Sequence, residues 1–281
     1  MVKTPSVSSY SPSLPTYKTR FMDVLWGTGS IEFGVTDTLR TGLEIPWKVR
    51  IPDMSNESIR REVGYAYADT LMAYGLDFDS AYGIPNSGKA IANALIDTLK
   101  ERGMYREWFS TNVKPEPEKI SELRQLYPSE RKKIIIGNAP SSSNKILFVD
   151  DVYFSGKTIN QSKQLLDLIL DCTSPEIYRG FLFGIDLMYP VSKEGVSERP
   201  LSKLKEEYGI KSFPVVNAVE IYMHFKAKSL RHGYPDASLV DGFAKHLLQH
   251  GNVNVKAHLK PIIDQFNADE LKSRLSARNQ E

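Results

Sequence analysis

Cysteine is almost absent from this chain, which has Cys172 alone among its 281 residues. One cysteine excludes an internal disulfide framework and a cysteine-based zinc site, and it fits a reducing compartment. No apolar run approaches the roughly 18 residues that a membrane-spanning helix needs, and no basic start leads into an apolar signal core. We therefore expect a cytoplasmic protein that does not enter a membrane.

A charge excess of either sign is also missing. Lys and Arg number 36 and Asp and Glu number 34, which gives a net charge of only +2. This balance provides no overall electrostatic attraction to nucleic acid, so we expect no nucleic-acid partner and place any basic site locally. With 41% hydrophobic residues, the chain is long enough to bury one large core with smaller appendages.

The order of patterns along the chain predicts an α/β fold. Residues 1–17 are rich in Ser and Pro without an apolar period, and we interpret them as a disordered leader. Short apolar runs broken by Gly and Pro predict strands within residues 21–54. Beyond them, apolar strands alternate with amphipathic helices, which predicts a mainly parallel sheet flanked by helices. Residues 226–281 form a polar, helical pattern, interpreted as a helical C-terminal appendage.

The stretch ILFVDDVYFSGKTI, residues 146–159, carries the strongest chemical signal. Its apolar strand ends in Asp150 and Asp151, at the edge of a parallel sheet where ligands bind. The turn that follows opens a helix, and its free N–H groups and hydroxyls form a nest for a phosphate. Two carboxylates would repel that phosphate but suit sugar hydroxyls. The stretch therefore predicts a ribose 5-phosphate site, with the phosphate held by Ser155, Gly156, Lys157 and Thr158.

An ATPase is the first alternative. GIPNSGKA, residues 83–90, has the glycine and lysine spacing of a phosphate-binding loop, but Ala90 stands where a hydroxyl should bind magnesium. The Ser-Gly-Lys-Thr of residues 155–158 has Asp151 where the first glycine of a phosphate-binding loop should be. A nucleotide hydrolase is therefore the less favoured interpretation.

The same residues resemble a known family. ILFVDDVYFSGKTI looks like the motif that binds 5-phosphoribosyl 1-pyrophosphate (PRPP) in type I phosphoribosyltransferases, and GIPNSGKAIANAL lies where that family has its pyrophosphate loop. SIEFGVTDTLRTGLEIPW resembles the N-terminal hood of the orotate phosphoribosyltransferases, here about residues 21–56. The resemblance covers roughly residues 21–225 and implies a phosphoribosyltransferase domain over residues 18–225.

The resemblance also implies an activity and its participants. A nucleobase, with orotate as the best choice, would displace pyrophosphate from PRPP with the help of Mg²⁺, in a homodimer. Asp150 and Asp151 would orient the ribose. The metal would be held mainly through PRPP, with Asp150 and Asp151 as candidate ligands. Pyrophosphate would be bound by two groups of residues. One is the loop of Pro85, Asn86, Ser87, Gly88 and Lys89, and the other is Arg131, Lys132 and Lys133 in the long polar segment of residues 114–144. Arg40 would contact the base or a phosphate.

Two positions depart from the family pattern. Leu43 and Leu187 stand where orotate enzymes carry arginines, and an arginine is a specific partner for a planar carboxylate. They favour a less anionic base. The pyrophosphate loop has Asn86 and Ser87 where the family has Tyr-Lys, and the family's lid motif, a lysine-rich stretch with a His, is missing. These two departures favour a second hypothesis, a non-catalytic PRPP-binding regulatory protein of the same fold.

His246 and His250 have the four-residue spacing of a metal-binding pair on a helix. No third ligand lies nearby in the sequence, so we interpret them as a surface pair.

Overall fold

The computed structural model describes residues 14–39, 42–153, 156–171, 174–189, 204–206 and 209–278. Three residues singled out above, Arg40, Ser155 and Cys172, lie outside the described residues. The division into a leader over residues 1–17, a transferase domain over 18–225 and an appendage over 226–281 stays a prediction.

A six-stranded sheet forms the centre of the fold. Its strands are β3 (Ser80–Gly83), β4 (Glu107–Thr111), β5 (Ile135–Gly137), β6 (Ile146–Tyr153), β7 (Tyr178–Asp186) and β8 (Ser212–Asn217), in the spatial order β5-β4-β3-β6-β7-β8. All neighbours are parallel except β4 and β5. This confirms the predicted α/β class with a mainly parallel sheet.

Helices cover both faces of this sheet. They are α2 (Glu57–Ala73), α3 (Ser87–Glu101), α4 (Pro117–Arg124), α5 (Pro128–Arg131), α6 (Lys157–Leu170) and α7 (Ala218–His232). Residues Ile146 to Val149 of β6 are all fully buried, because one face packs in the cluster of α2 and α3 and the other in that of α4 and α6. A strand covered on both faces is apolar at every position, as this one is.

The N-terminal part of the hood is a helix, so the strand predicted there is wrong. The helix α1 (Thr16–Gly27) begins inside the predicted leader and buries Phe21, Met22 and Leu25. These residues are spaced at i, i+1 and i+4, which places them on one helical face against the core. A buried ion pair of 2.7 Å between Lys18 and Glu220 fixes the helix to the start of α7.

The rest of the hood is the antiparallel hairpin of β1 (Ile31–Thr38) and β2 (Glu44–Val49). Its apolar face is covered by the C-terminal helix α8 (Ala237–His250), which is followed by α9 (Val253–Arg278). Phe243 of α8 is fully buried, with its ring centroid 4.6 Å from that of Trp47 and 5.3 Å from that of Phe33. The appendage is thus helical, as predicted, and it completes the core of the hood.

None of the helices in the part of the chain that the structure describes is long and apolar enough to cross a membrane.

We predict that Phe243→Ala lowers the free energy of unfolding by about 3–5 kcal/mol, since it removes a buried aromatic ring from between two hood aromatics. Urea unfolding followed by circular dichroism measures the change. Leu271→Ala serves as the control, because Leu271 is 59% exposed on α9. Equal losses in the two variants would contradict the packing described for α8.

Candidate functional site

The acidic pair lies near the carboxyl end of β6. Asp150 and Asp151 are both half-buried, and the Asp151 carboxylate accepts a hydrogen bond of 2.7 Å from the Val152 amide. The Tyr67 hydroxyl donates a 2.8 Å hydrogen bond to the Asp150 carbonyl, which fixes the backbone of the pair. Burial, and then the charges of Asp151 and Asp150, raise the pKa of Tyr67 well above its usual value, so this hydroxyl stays a donor.

The helix α6 points its N-terminus at the same edge of the sheet. Gly156 precedes the helix with a φ of 71°, a conformation that glycine adopts without strain, and its carbonyl accepts from the Asn160 amide at 3.1 Å. The amides of the first helical turn have no partner within the helix, so they face outward as donors for an anion.

A second helix N-terminus lies beside the first. The loop after β3 carries Pro85 and Asn86, joined by a cis peptide bond, and α3 begins directly at Ser87. Gly88 packs so tightly on the Val149 carbonyl of β6 that a Cβ would collide with this backbone oxygen. Because β3 and β6 are adjacent parallel strands, the two helix N-termini open at neighbouring positions.

One cavity of about 500 Å³ joins these elements. Many of the predicted site residues line it, namely Pro85, Asn86, Ser87, Asp150, Asp151, Gly156 and Thr158. Gly88, Lys89 and Lys157 belong to the first turns of the two helices but do not line the cavity. The opposite wall is formed by hood residues and by Leu187, and includes Asp37, Thr38, Leu39, Ile45 and Val49.

Negative charge dominates the described lining. Four carboxylates, those of Asp37, Glu116, Asp150 and Asp151, face a single cation, Lys114, among the described residues that line the cavity. An anionic ligand entering such a cavity needs further positive charge, which a divalent cation bound by oxygen ligands would supply.

The predicted cationic segment lies outside this lining. Arg131 donates hydrogen bonds to the carbonyls of Leu123 (3.0 Å), Arg124 (3.0 Å) and Leu126 (2.9 Å), and so closes the end of α4. Lys132 and Lys133 follow in a 3₁₀ turn that does not reach the cavity. Arg131 therefore stabilises the end of α4, and none of the three residues lines the cavity.

Sequence reasoning missed Lys114. It lies three residues after β4, the strand next to β3, and its signal was a lysine just beyond the carboxyl end of a sheet strand. Of the two leucines that replace family arginines, Leu187 lines the cavity, whereas Leu43 packs against the core and does not.

The Tyr153 hydroxyl, at the end of β6, has an unusual environment. It is buried and has no hydrogen-bond partner among the described residues, and it occupies the space that a Cβ at Gly156 would enter. Burial, and then the charge of Asp186, raise the pKa of Tyr153.

The comparisons with known proteins agree with this geometry, although no family model matches the chain. An orotate phosphoribosyltransferase of Lachnoclostridium phytofermentans is 24% identical over 214 residues, which is 75% of this chain and 87% of the relative. That of Buchnera aphidicola is 23% identical over 218 residues, covering 78% and 96%.

Solved structures share the fold. The orotate phosphoribosyltransferase of Francisella tularensis superposes with a TM-score of 0.63 at 17% identity, covering 83% of this chain and 99% of that one. The chain is therefore similar to orotate phosphoribosyltransferases in sequence and shares their fold. The UMP synthase of Leishmania donovani superposes with a TM-score of 0.57 at 16% identity, covering 83% of this chain and 42% of that one.

Two tyrosine variants test the hydrogen bonding around β6. Tyr153→Phe should raise the free energy of unfolding by about 1 kcal/mol, because it removes a buried hydroxyl that has no partner. Tyr67→Phe should lower it by about 1 kcal/mol, because its hydroxyl bonds the Asp150 carbonyl. Chemical unfolding in the absence of ligand gives both values. A loss of stability in Tyr153→Phe would show that its hydroxyl has a partner.

Proposed function

We propose that this protein transfers the 5-phosphoribosyl group of PRPP to orotate, with release of pyrophosphate and formation of orotidine 5'-monophosphate. The observation that carries the proposal is the cavity in which two helix N-termini and an acidic pair meet. The relatives named orotate phosphoribosyltransferase support the choice of orotate.

The arrangement matches the shape of PRPP. This molecule has an anionic group at each end of a ribose, and the cavity has a helix N-terminus at two neighbouring positions. The 5-phosphate would bind at Gly156 and Thr158, with Ser155 and Lys157 proposed from the motif. The pyrophosphate would bind at the Pro85–Ser87 loop, with Gly88 and Lys89 behind it. Asp150 and Asp151 would then hold the ribose hydroxyls.

Magnesium fits the charges of the cavity. The described residues contain no cluster of three or more metal-ligating side chains. However, Asp150 and Asp151 lie together at the cavity and would share a metal with the oxygens of PRPP. When bound, Mg²⁺ would neutralise part of the charge of the leaving pyrophosphate.

The protein's own residues would act mainly by position and charge. The base nitrogen attacks C1 of the ribose as the bond to pyrophosphate breaks, through a transition state with oxocarbenium character. The two carboxylates hold the ribose and stabilise its developing positive charge, while Lys114 neutralises negative charge on the leaving group. The hood would cover the reacting atoms and exclude water.

By elimination, the base would lie against the hood and Leu187. This wall contains Leu39, Ile45, Val49 and Leu187, which would pack on the faces of a planar ring. Arg40, predicted to contact the base or a phosphate, follows Leu39 directly. A homodimer, implied by the family resemblance, and a cytoplasmic location, expected from the sequence composition, stay predictions.

A non-catalytic PRPP-binding protein is the second candidate. It is favoured by the scarcity of cations in the described lining, since Lys114 stands there alone and Arg131 is bonded to the end of α4.

The deciding experiment is pyrophosphate release from PRPP with Mg²⁺ and a panel of orotate, uracil and purine bases. Release that requires orotate supports the transferase, and release that requires another base replaces orotate as the acceptor. PRPP binding without release for any base would support the regulatory alternative. Release should stop when EDTA removes the metal and return on addition of Mg²⁺.

The acidic pair should control PRPP binding. We expect Asp150→Asn and Asp151→Asn each to raise the Kd for PRPP about 10–100-fold, since each loses charge-assisted hydrogen bonds to the ribose. Titration calorimetry with Mg²⁺ present measures the change. Asp97→Asn, on the exposed side of α3, is the control. Unchanged binding in both site variants would overturn the ribose assignment.

Lys114 should contribute to turnover. We expect Lys114→Ala to lower kcat/KM for PRPP about 10–100-fold, because charge on the leaving pyrophosphate loses a nearby cation. Lys119→Ala, whose lysine pairs with Glu122 on the surface of α4, should have little effect. Arg131→Ala should reduce stability rather than turnover. A kinetic loss confined to Arg131→Ala would assign the pyrophosphate contact to the segment predicted from the sequence.

A further inference from the structure

His246 links two walls of the cavity. The hydroxyl of Tyr189 lies 3.0 Å from its Nδ1, and the backbone carbonyl of Glu44 is a neighbour of the imidazole. The neutral tautomer with its proton on Nε2 leaves Nδ1 free to accept from the Tyr189 hydroxyl. Burial, and then the neighbouring His250, lower the pKa of His246, which favours this neutral ring. The prediction of a surface pair is therefore wrong for His246, which is half-buried, and it holds for the exposed His250.

Each partner of His246 is next to a lining residue. Glu44 begins β2 and precedes Ile45, which lines the cavity from the hood. Tyr189 ends the segment Leu187–Tyr189 after β7, and Leu187 lines the cavity from the sheet. His246 itself does not line the cavity, so any effect on a ligand passes through these neighbours.

Further contacts hold α8 against the hood and against the segment Leu187–Tyr189. The amide of Asn252, between α8 and α9, donates a 3.0 Å hydrogen bond to the carbonyl of Met188. On the hood side, Phe243 packs on Trp47, one helical turn before His246. The helix α8 is thus attached to both walls, by apolar packing to one and by a backbone hydrogen bond to the other.

The segment Leu187–Tyr189 needs such support. Met188 has a φ of 57°, in the left-handed region that residues with a side chain adopt only at a cost. Its amide donates to the Asp186 carboxylate at 2.9 Å and its carbonyl accepts from Asn252, so both ends of the strained residue are held.

We propose that His246 is a positioning residue that sets the distance between the hood strand β2 and the segment Leu187–Tyr189, and thereby the width of the cavity where the base binds. Helix α8 would in this way control how well a planar base fits the cavity, without contacting the base. The kinetic consequence rests on the proposed function, whereas the link between the two walls does not.

Hydrogen exchange tests the link independently of activity. In His246→Ala, we expect amides in residues 44–49 and 187–189 to exchange about 3–10-fold faster than in the wild type, because both segments lose their contact with the imidazole. Amides of β3 and β4 should keep their rates. Gln249→Ala, at an exposed position of the same helix, is the matched control. Unchanged exchange in both segments, or an equal effect of Gln249→Ala, would overturn the proposal whatever the activity.

Kinetics test the consequence. For His246→Ala, KM for orotate, or for whichever base the wild type accepts, should rise about 3–10-fold while KM for PRPP changes less than about 2-fold. His246→Gln, which keeps a donor and an acceptor, should recover most of the base affinity. A general loss of structure would raise both KM values and lower the thermal midpoint, and that result, or equal effects of Ala and Gln, would contradict a positioning role. If no base supports turnover by the wild type, the exchange measurement still decides the link.

Discussion

The close packing of α3 on β6 is the contact on which the site depends. At Gly88 there is no room for a side chain between the helix and the Val149 carbonyl, and the next residues of the strand are Asp150 and Asp151. A helix N-terminus and an acidic pair are therefore brought together through backbone atoms, which move little. The neighbouring α6 follows from the same strand, so both anion-binding ends are placed relative to one central element.

The central sheet could be predicted because its signals are local. The strand β6 is apolar at each buried position, the acidic pair follows its apolar run, and glycine marks the turn into α6. A short stretch therefore contains most of the proposed phosphate and ribose site. The helix α1 was assigned to strands because short runs broken by glycine dominate the region after it, although its buried residues have helical spacing. The helical conformation of α1 depends on its packing against α2 and α7, and the local sequence does not contain that information.

Side-chain roles in the long polar segment were harder to predict. Arg131 and Lys114 are both basic and belong to the same polar segment, and only the fold distinguishes them. Arg131 turns back to the carbonyls that end α4, while Lys114 directly follows a sheet strand whose carboxyl end faces the cavity. The two histidines of α8 differ in the same way, because one faces the hood and the other faces solvent.

The hood hairpin is separated from the helix that covers it by nearly the whole chain. Residues 31–49 are made early in synthesis, and Phe243 follows only near the end, so Phe33 and Trp47 lack this part of their cover while the intervening sheet folds. Contacts of such long sequence separation form late and leave apolar surface exposed in the meantime. On a ribosome, the hood of the nascent chain would thus remain a potential target for chaperones until α8 has left the exit tunnel, and a chain truncated before α8 would keep an adhesive aromatic surface permanently.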